Sequence, residues 1–146
     1  MKIIIDADAC PQNVLSICKK LSIEYGMKLH TISSFNHHIQ SEFHTTVGDS
    51  SQETDFAVMN AAAKSDIVVT QDGGLAAMVL GKGAAAISPT GKIFDRETII
   101  FLLEERETKT KLRRRGKHTK GPKKRKPEDD AQFSANLRQL IKNTGL

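Results

Sequence analysis

Two carboxylates bring chemistry within reach of this sequence. Asp6 follows Ile3-Ile4-Ile5 directly, and Asp72 stands just past Ile67-Val68-Val69; both are β-branched runs too short for anything but buried strands. In an open parallel sheet ligands bind at the carboxyl ends of the strands, so each acid is expected at the edge where a site forms. Two strands ending in Asp at one edge bring like charges together, an arrangement that a cation neutralises. Carboxylate oxygens are hard ligands and suit Mg²⁺ or Mn²⁺. Asp8 would join the same group, or cap the helix that begins at Pro11. Asp72-Gly73-Gly74 also has a plainer reading, as a turn whose side chain bonds nearby backbone N–H groups.

The elements that must position these acids can be read in order. Pro11 fits a helix start and Gly26 its stop, with Val14, Ile17, Cys18, Leu21 and Tyr25 at helical spacing. Lys28 to Ser33 alternates as a second strand, which makes a βαβ unit with parallel strands. Phe43 to Val47 fits a further short strand. Ser50 and Glu53 have the capping-box spacing for a helix from about Ser51, which puts Asp55 in its first or second turn. Leu75 to Leu80 reads as a short helix stopped by Gly81 and Gly83. Ala84 to Ile87 follows as a strand of small residues, closed by Pro89 and a Thr90-Gly91 turn. From Asp95, as N-cap, a helix carries Ile99, Leu102, Leu103 and Arg106 at core spacing. Glu128, Asp129 and Asp130 suit the first turn of a last helix with Phe133, Leu137, Leu140 and Ile141 as its apolar stripe. This alternation predicts a three-layer α/β/α sandwich with a mainly parallel central sheet. Residues 1–108 form the α/β domain, 109–127 a basic loop, and 128–146 a C-terminal helix packed on the same domain.

At 146 residues the chain is long enough for one domain with a proper core. The absence of an apolar run near 20 residues, and of a signal peptide before the first strand, reads as a cytoplasmic protein without membrane contact. Cys10 and Cys18, at C-x7-C, have no zinc spacing and read as reduced. His37, His38 and His44 have no ligand spacing and read as part of a polar loop. The net charge of +5 hides a division: residues 1–108 hold 9 Lys and Arg against 14 Asp and Glu, while residues 109–126 hold 11 basic residues and no acid. An acidic body with one dense basic segment suits a protein that handles a polyanion, although a solvated tail is the plainer reading. The expected phosphate contacts are Arg113, Arg114, Arg115, Lys117, Lys120, Lys123, Lys124 and Arg125, with Lys82 added from the body.

These residues together resemble the YaiI/YqxD family of bacterial proteins, itself similar to the PIN-domain nuclease fold. The resemblance rests on Ile5-Asp6-Ala7-Asp8-Ala9-Cys10-Pro11, on Thr54-Asp55 opening a helix, and on Ile67-Val68-Val69-Thr70-Gln71-Asp72 with Leu75-Ala76. Lys82-Gly83, the basic stretch ending near Gly121-Pro122 and the acidic start of the last helix with Phe133 extend it over nearly the whole chain. It implies that Asp6, Asp55 and Asp72 are metal-binding acids and that Thr70 is a polar neighbour of the site. The further acid that PIN nucleases usually bring from an early helix is not evident, and Asp8 stands in for it.

Three functions follow as expectations. The first is a metal-dependent nuclease, acting on RNA, in which Asp6, Asp8, Asp55 and Asp72 hold one or two Mg²⁺ or Mn²⁺ ions that activate water for phosphodiester hydrolysis. A non-catalytic nucleic-acid-binding module is the second. The third takes Asp6-Ala7-Asp8 as the opening of a haloacid-dehalogenase-type phosphatase, with Asp6 the nucleophile and Asp8 a general acid. The sequence leaves room for a homo-oligomer, or for another protein that completes the site.

Overall fold

A computed structural model describes residues 1–34, 43–48, 51–95, 97–101, 104–105, 107–108 and 124–144. Strand β1 (Lys2–Asp6) is followed by a single 3-10 turn (Ala7–Ala9) and helix α1 (Gln12–Glu24), then β2 (Lys28–Ser34) and β3 (Phe43–Val47). Helix α2 (Ser51–Ala61), β4 (Ile67–Val69), α3 (Gly73–Gly81), β5 (Ala85–Ile87) and β6 (Ile93–Phe94) come next, and α4 (Pro127–Asn143) closes the described chain. The six strands form one sheet in the order β3-β2-β1-β4-β5-β6. Every pairing is parallel except β5 with β6, a hairpin pair.

Strand alternation divides the core into two faces. Ile3, Ile5, Ile67, Val69 and Ile87 point to the side covered by α1 and α4, where they meet Val14, Leu15, Cys18, Leu21, Phe133, Leu137 and Ile141. Ile4, Val68 and Ala86 point to the other side and meet Val58, Leu75, Ala76 and Val79 from α2 and α3. The result is the three-layer α/β/α sandwich that the strand and helix alternation calls for. Within α1 the buried stripe runs through Leu15, while Ile17 and Tyr25 are only partly covered.

At the amino edge of the sheet, Asp66 precedes β4 and is almost fully buried. It accepts hydrogen bonds from Lys2 N (3.0 Å), Lys2 Nζ (2.7 Å) and Ala63 N (2.9 Å). Burial pushes its pKa up, but the bonds from Lys2 and Ala63 outweigh burial and hold it below the usual carboxylate value. Here an acid is paired and structural.

The turn between β5 and β6 is fastened to α4. Gly91 has φ +92°, and a Cβ there would lie 2.8 Å from the backbone of Gln132 and Phe133. Asn136 Nδ2 donates to Gly91 O (2.6 Å), and Arg125 Nη1 donates to Pro89 O (2.7 Å). Gly91→Ala therefore meets both left-handed strain and a helix backbone that cannot retreat. Its expected cost is roughly 2–4 kcal/mol of stability, measurable by urea denaturation.

Some expectations need correction. His44 lies in β3, the strand expected over Phe43 to Val47, so only its reading as part of a polar loop fails; its ring nitrogens bond Thr31 Oγ1 (2.6 Å) and Ser33 Oγ (3.1 Å) across to β2. β6 went unread in the sequence. Asp95 does cap a helical stretch at 97–101, accepting from Thr98 N (2.7 Å), with Ile99 buried. His37, His38, Ser50, Leu102, Leu103, Arg106 and the basic residues Arg113, Arg114, Arg115, Lys117, Lys120 and Lys123 lie outside the described residues.

Candidate carboxylate site

The chain runs outward from β1 through β2 to β3, then returns to place β4 on the other side of β1. The crevice between β1 and β4 is thus the topological switch point of the sheet, the place where open α/β sheets bind ligands. Asp6 ends β1 and Asp72 follows β4, so both strand-end acids stand at this point.

Thr70 fixes them relative to each other. Its buried hydroxyl donates to Asp6 Oδ2 (2.9 Å) and accepts the Asp72 N–H (3.0 Å), so one side chain sets the position of both acids. Asp72 Oδ1 in turn accepts from Gly74 N (2.8 Å) and Leu75 N (3.3 Å), capping α3. The turn reading of Asp72 holds, and the cap uses one of its two carboxylate oxygens. Asp8 does not cap α1, whose N-cap is Pro11. Its Oδ1 accepts from Ser34 N (2.8 Å) and Ser34 Oγ (3.0 Å), anchoring it to the end of β2.

Asp55 completes the group from the second turn of α2. Burial, then the charges of Asp72 and Asp6, push its pKa up to about 6. Asp6 is raised too, by burial first and then by the charges of Asp8 and Asp72, against the lowering effect of the Thr70 bond. Four carboxylates from four segments therefore feel one another. None of the ion pairs among the described residues, Lys2–Asp66, Arg125–Asp130 and Arg138–Glu24, involves Asp6, Asp55 or Asp72.

Burial of Asp55, with this repulsion added, has a measurable consequence. The folded-state pKa of Asp55 lies above its ordinary value of 3.8, so the folded protein holds that proton more tightly than the unfolded chain. Stability is lost as pH rises from about 4 through about 6. Asp55→Asn removes the cause, so in chelator the variant is expected to gain about 1 kcal/mol over wild type at pH 8, after discounting for partial exposure, and little below pH 4. Urea denaturation in EDTA at the two pH values checks it.

The donor set is all oxygen, which fits a hard divalent cation. Among the described residues no three His, Cys, Asp or Glu side chains converge tightly enough to enclose an ion as they stand. Enclosure is not what Mg²⁺ requires, since it keeps several waters and binds through one or two carboxylates plus substrate phosphates. The open, mutually repelling group fits such a cation. Cys10 does not join it as a thiolate: burial and the charge of Asp6 push its thiol up to about 12, against the opposing charge of Arg125.

Surroundings differ on the two flanks. Between α2 and α3, a slot of about 270 Å³ is lined by Asp55, Asp72, Gln52, Phe56, Met59, Leu75 and Met78. Phe56 is 53% exposed and Met78 54%, unusual for large apolar side chains beside a charged group. On the other flank Lys124 and Arg125 arrive at the β5–β6 turn, and Arg125 is held by Asp130. Lys82 follows α3, at the amino edge opposite the acids, and its Nζ donates to Met59 O. Parallel βα alternation could have revealed this, since a helix leaving the carboxyl edge must end at the other one.

The fold and the site together define a small α/β protein with a carboxylate group at the switch point of a mainly parallel sheet. The chain belongs to the YaiI/YqxD family, matching over residues 4–143 the family described as "Uncharacterized BCR, YaiI/YqxD family". A UPF0178 protein of Heliobacterium modesticaldum is 49% identical over 142 residues, covering 97% of each chain. Relatives in Clostridium acetobutylicum (42% over 145 residues, 97% of each chain) and Lachnoclostridium phytofermentans (41% over 148 residues, 98% of each) bear the same UPF0178 name. No solved structure matches. No described helix is long and apolar enough to cross a membrane.

Proposed function

We propose that the protein is a metal-dependent nuclease that hydrolyses phosphodiester bonds of single-stranded RNA, on a PIN-like fold. One observation carries the reading: Asp6 and Asp72 stand at the switch point, clamped by one threonine hydroxyl, with Asp55 and Asp8 adding like charge. Held by Asp6, Asp8, Asp55 and Asp72, Mg²⁺ or Mn²⁺ would supply an acidified water and a counter-charge for the phosphodiester oxygens. The chain's own groups do the rest. Thr70 and Ser34 orient Asp6 and Asp8 through hydrogen bonds to their carboxylates. The slot beside Asp55 and Asp72 receives a flanking base, with Phe56 as the stacking face, although the chain has no Trp and a single Tyr. Lys124, with the basic residues of 109–123, contacts strand phosphates without reading sequence.

A non-catalytic binding module is the second reading, favoured by the openness of the carboxylate group. Cleavage assays on single-stranded and duplex RNA, in Mn²⁺, Mg²⁺ and EDTA, separate the two. Metal-dependent cleavage of the single strand is expected; salt-sensitive binding that survives Asp72→Asn, with no cleavage under either metal, would favour the binding module. Phe56→Ala is expected to weaken single-strand affinity about tenfold, read by fluorescence anisotropy.

A further inference from the structure

Beside the carboxylates, a second cleft of about 570 Å³ opens between Pro11, the β5–β6 turn and the start of α4. Its lining is part cationic and part apolar. Lys92, Lys124 and Lys126 line it, while Pro11, Pro89 and Phe94 supply the uncharged surface. The Lys92 ammonium lies 6.0 Å from the centre of the Phe101 ring, a contact that consumes none of its three hydrogen-bond donors. The one carboxylate in the lining, Asp129, already accepts the Lys126 N–H (2.9 Å), and Asp130 is engaged by Arg125 and by Asn13 Nδ2 (3.0 Å). Three lysines thus stand in the lining of a cleft whose neighbouring acids are committed to holding the walls.

The walls are built in advance. Gly91 packed on the α4 backbone, Asn136 on Gly91 O and Arg125 on Pro89 O fix the turn to the helix that brings Lys124 and Lys126. A bare inorganic anion would occupy little of a cleft this size, which falls in the range of small-molecule sites. A lining that combines lysines with apolar side chains fits a ring system joined to a phosphate. Gln71, which lines the cleft, directly precedes Asp72, and Pro11 follows the Asp6-to-Cys10 segment, so an occupant would lie next to the carboxylates.

We infer that this cleft binds a nucleotide through its phosphate monoester, with Lys92, Lys124 and Lys126 contacting the phosphate and Pro11, Pro89 and Phe94 the nucleoside. The inference deepens the nuclease reading and rests on it for the source of the nucleotide, which is either the phosphorylated end of a strand or a released monophosphate.

The test is an NMR titration of the full chain in EDTA with uridine 5′-monophosphate, uridine and inorganic phosphate, on wild type, Lys92→Gln/Lys126→Gln and a Lys20→Gln control on the exposed face of α1. The monophosphate is expected to bind wild type at least tenfold more tightly than either uridine or inorganic phosphate. The double variant should lose at least tenfold, and the control should be unchanged. Amide shifts at Thr90, Lys92 and Phe94 locate the ligand in wild type, whatever the folding of the variant. Shifts confined elsewhere, or unchanged affinity in a folded double variant, would overturn the assignment; inorganic phosphate binding as tightly as the monophosphate would overturn its nucleotide half. Tetranucleotides with a 5′-phosphate or a 5′-hydroxyl, offered to Asp72→Asn protein, separate the sources. Preference for the phosphate end assigns a strand terminus, and equal binding beside retained monophosphate affinity assigns a released product. Monophosphate binding without RNA cleavage would sink the nuclease reading alone, and cleavage without monophosphate binding would sink this inference alone.

Discussion

Asp6→Asn is expected to lower metal-dependent RNA cleavage by on the order of 10³-fold while leaving the fold intact. The substitution is nearly isosteric, and the amide oxygen can still accept the Thr70 hydroxyl that now reaches Asp6 Oδ2 at 2.9 Å. What disappears is a negative charge at the carboxyl end of β1, where Asp6 is raised by burial and by its acidic neighbours. Chelator-treated protein should therefore be no less stable than wild type, since a repulsion has been relieved. Thr70→Val supplies the graded comparison. It keeps all four charges but removes the hydroxyl that positions Asp6 and Asp72, and a loss of about 10- to 100-fold is expected. Rates under saturating Mn²⁺, alongside melting curves in EDTA, read both effects. Equal activity of Asp6→Asn and wild type would remove Asp6 from the chemistry.

Phe133→Ala carries the largest expected effect on stability. Phe133 is fully buried in α4 and packs with Leu137 and Ile141 against the face of the sheet shared with α1. Truncating a fully buried Phe costs about 3–5 kcal/mol, here on the order of 10 °C in melting temperature. The helix is no appendage, because Asn13 on α1 bonds Asp130, Arg138 bonds Glu24 (2.8 Å), and Asn136 bonds the β5–β6 turn. Loss of Phe133 should accordingly destabilise the whole domain in one transition, followed by circular dichroism against urea. A separate early transition for α4 would contradict that packing.

Local signals made most of this architecture legible. Phe133, Leu137, Leu140 and Ile141 repeat at helical spacing, and all four are buried. The β-branched runs of β1 and β4 could only be central strands, so Asp6 and Asp72 had to lie at their carboxyl ends. β6 stayed hidden because two residues carry no period, and its pairing with β5 depends on the turn at Gly91. Contacts made at long range were also out of reach. Ser34 holds Asp8 from 26 residues away, and no spacing announces it. The cationic cleft gathers Pro11, Gln71, Lys92 and Lys126 from four parts of the chain, so Lys92 looked like ordinary surface charge, and of its lining only the basic segment, through Lys124 and Arg125, was expected to meet phosphate.

The central claim is that Asp6, Asp8, Asp55 and Asp72 form one cation site. Isothermal titration of Mn²⁺ into wild type and into Asp6→Asn/Asp72→Asn protein, at pH 7.5 after chelation and dialysis, tests it most directly. Saturable binding by wild type, lost in the double variant and accompanied by a higher melting temperature only in wild type, is the predicted result. Absence of saturable binding by wild type, or equal binding by the two proteins, would contradict it.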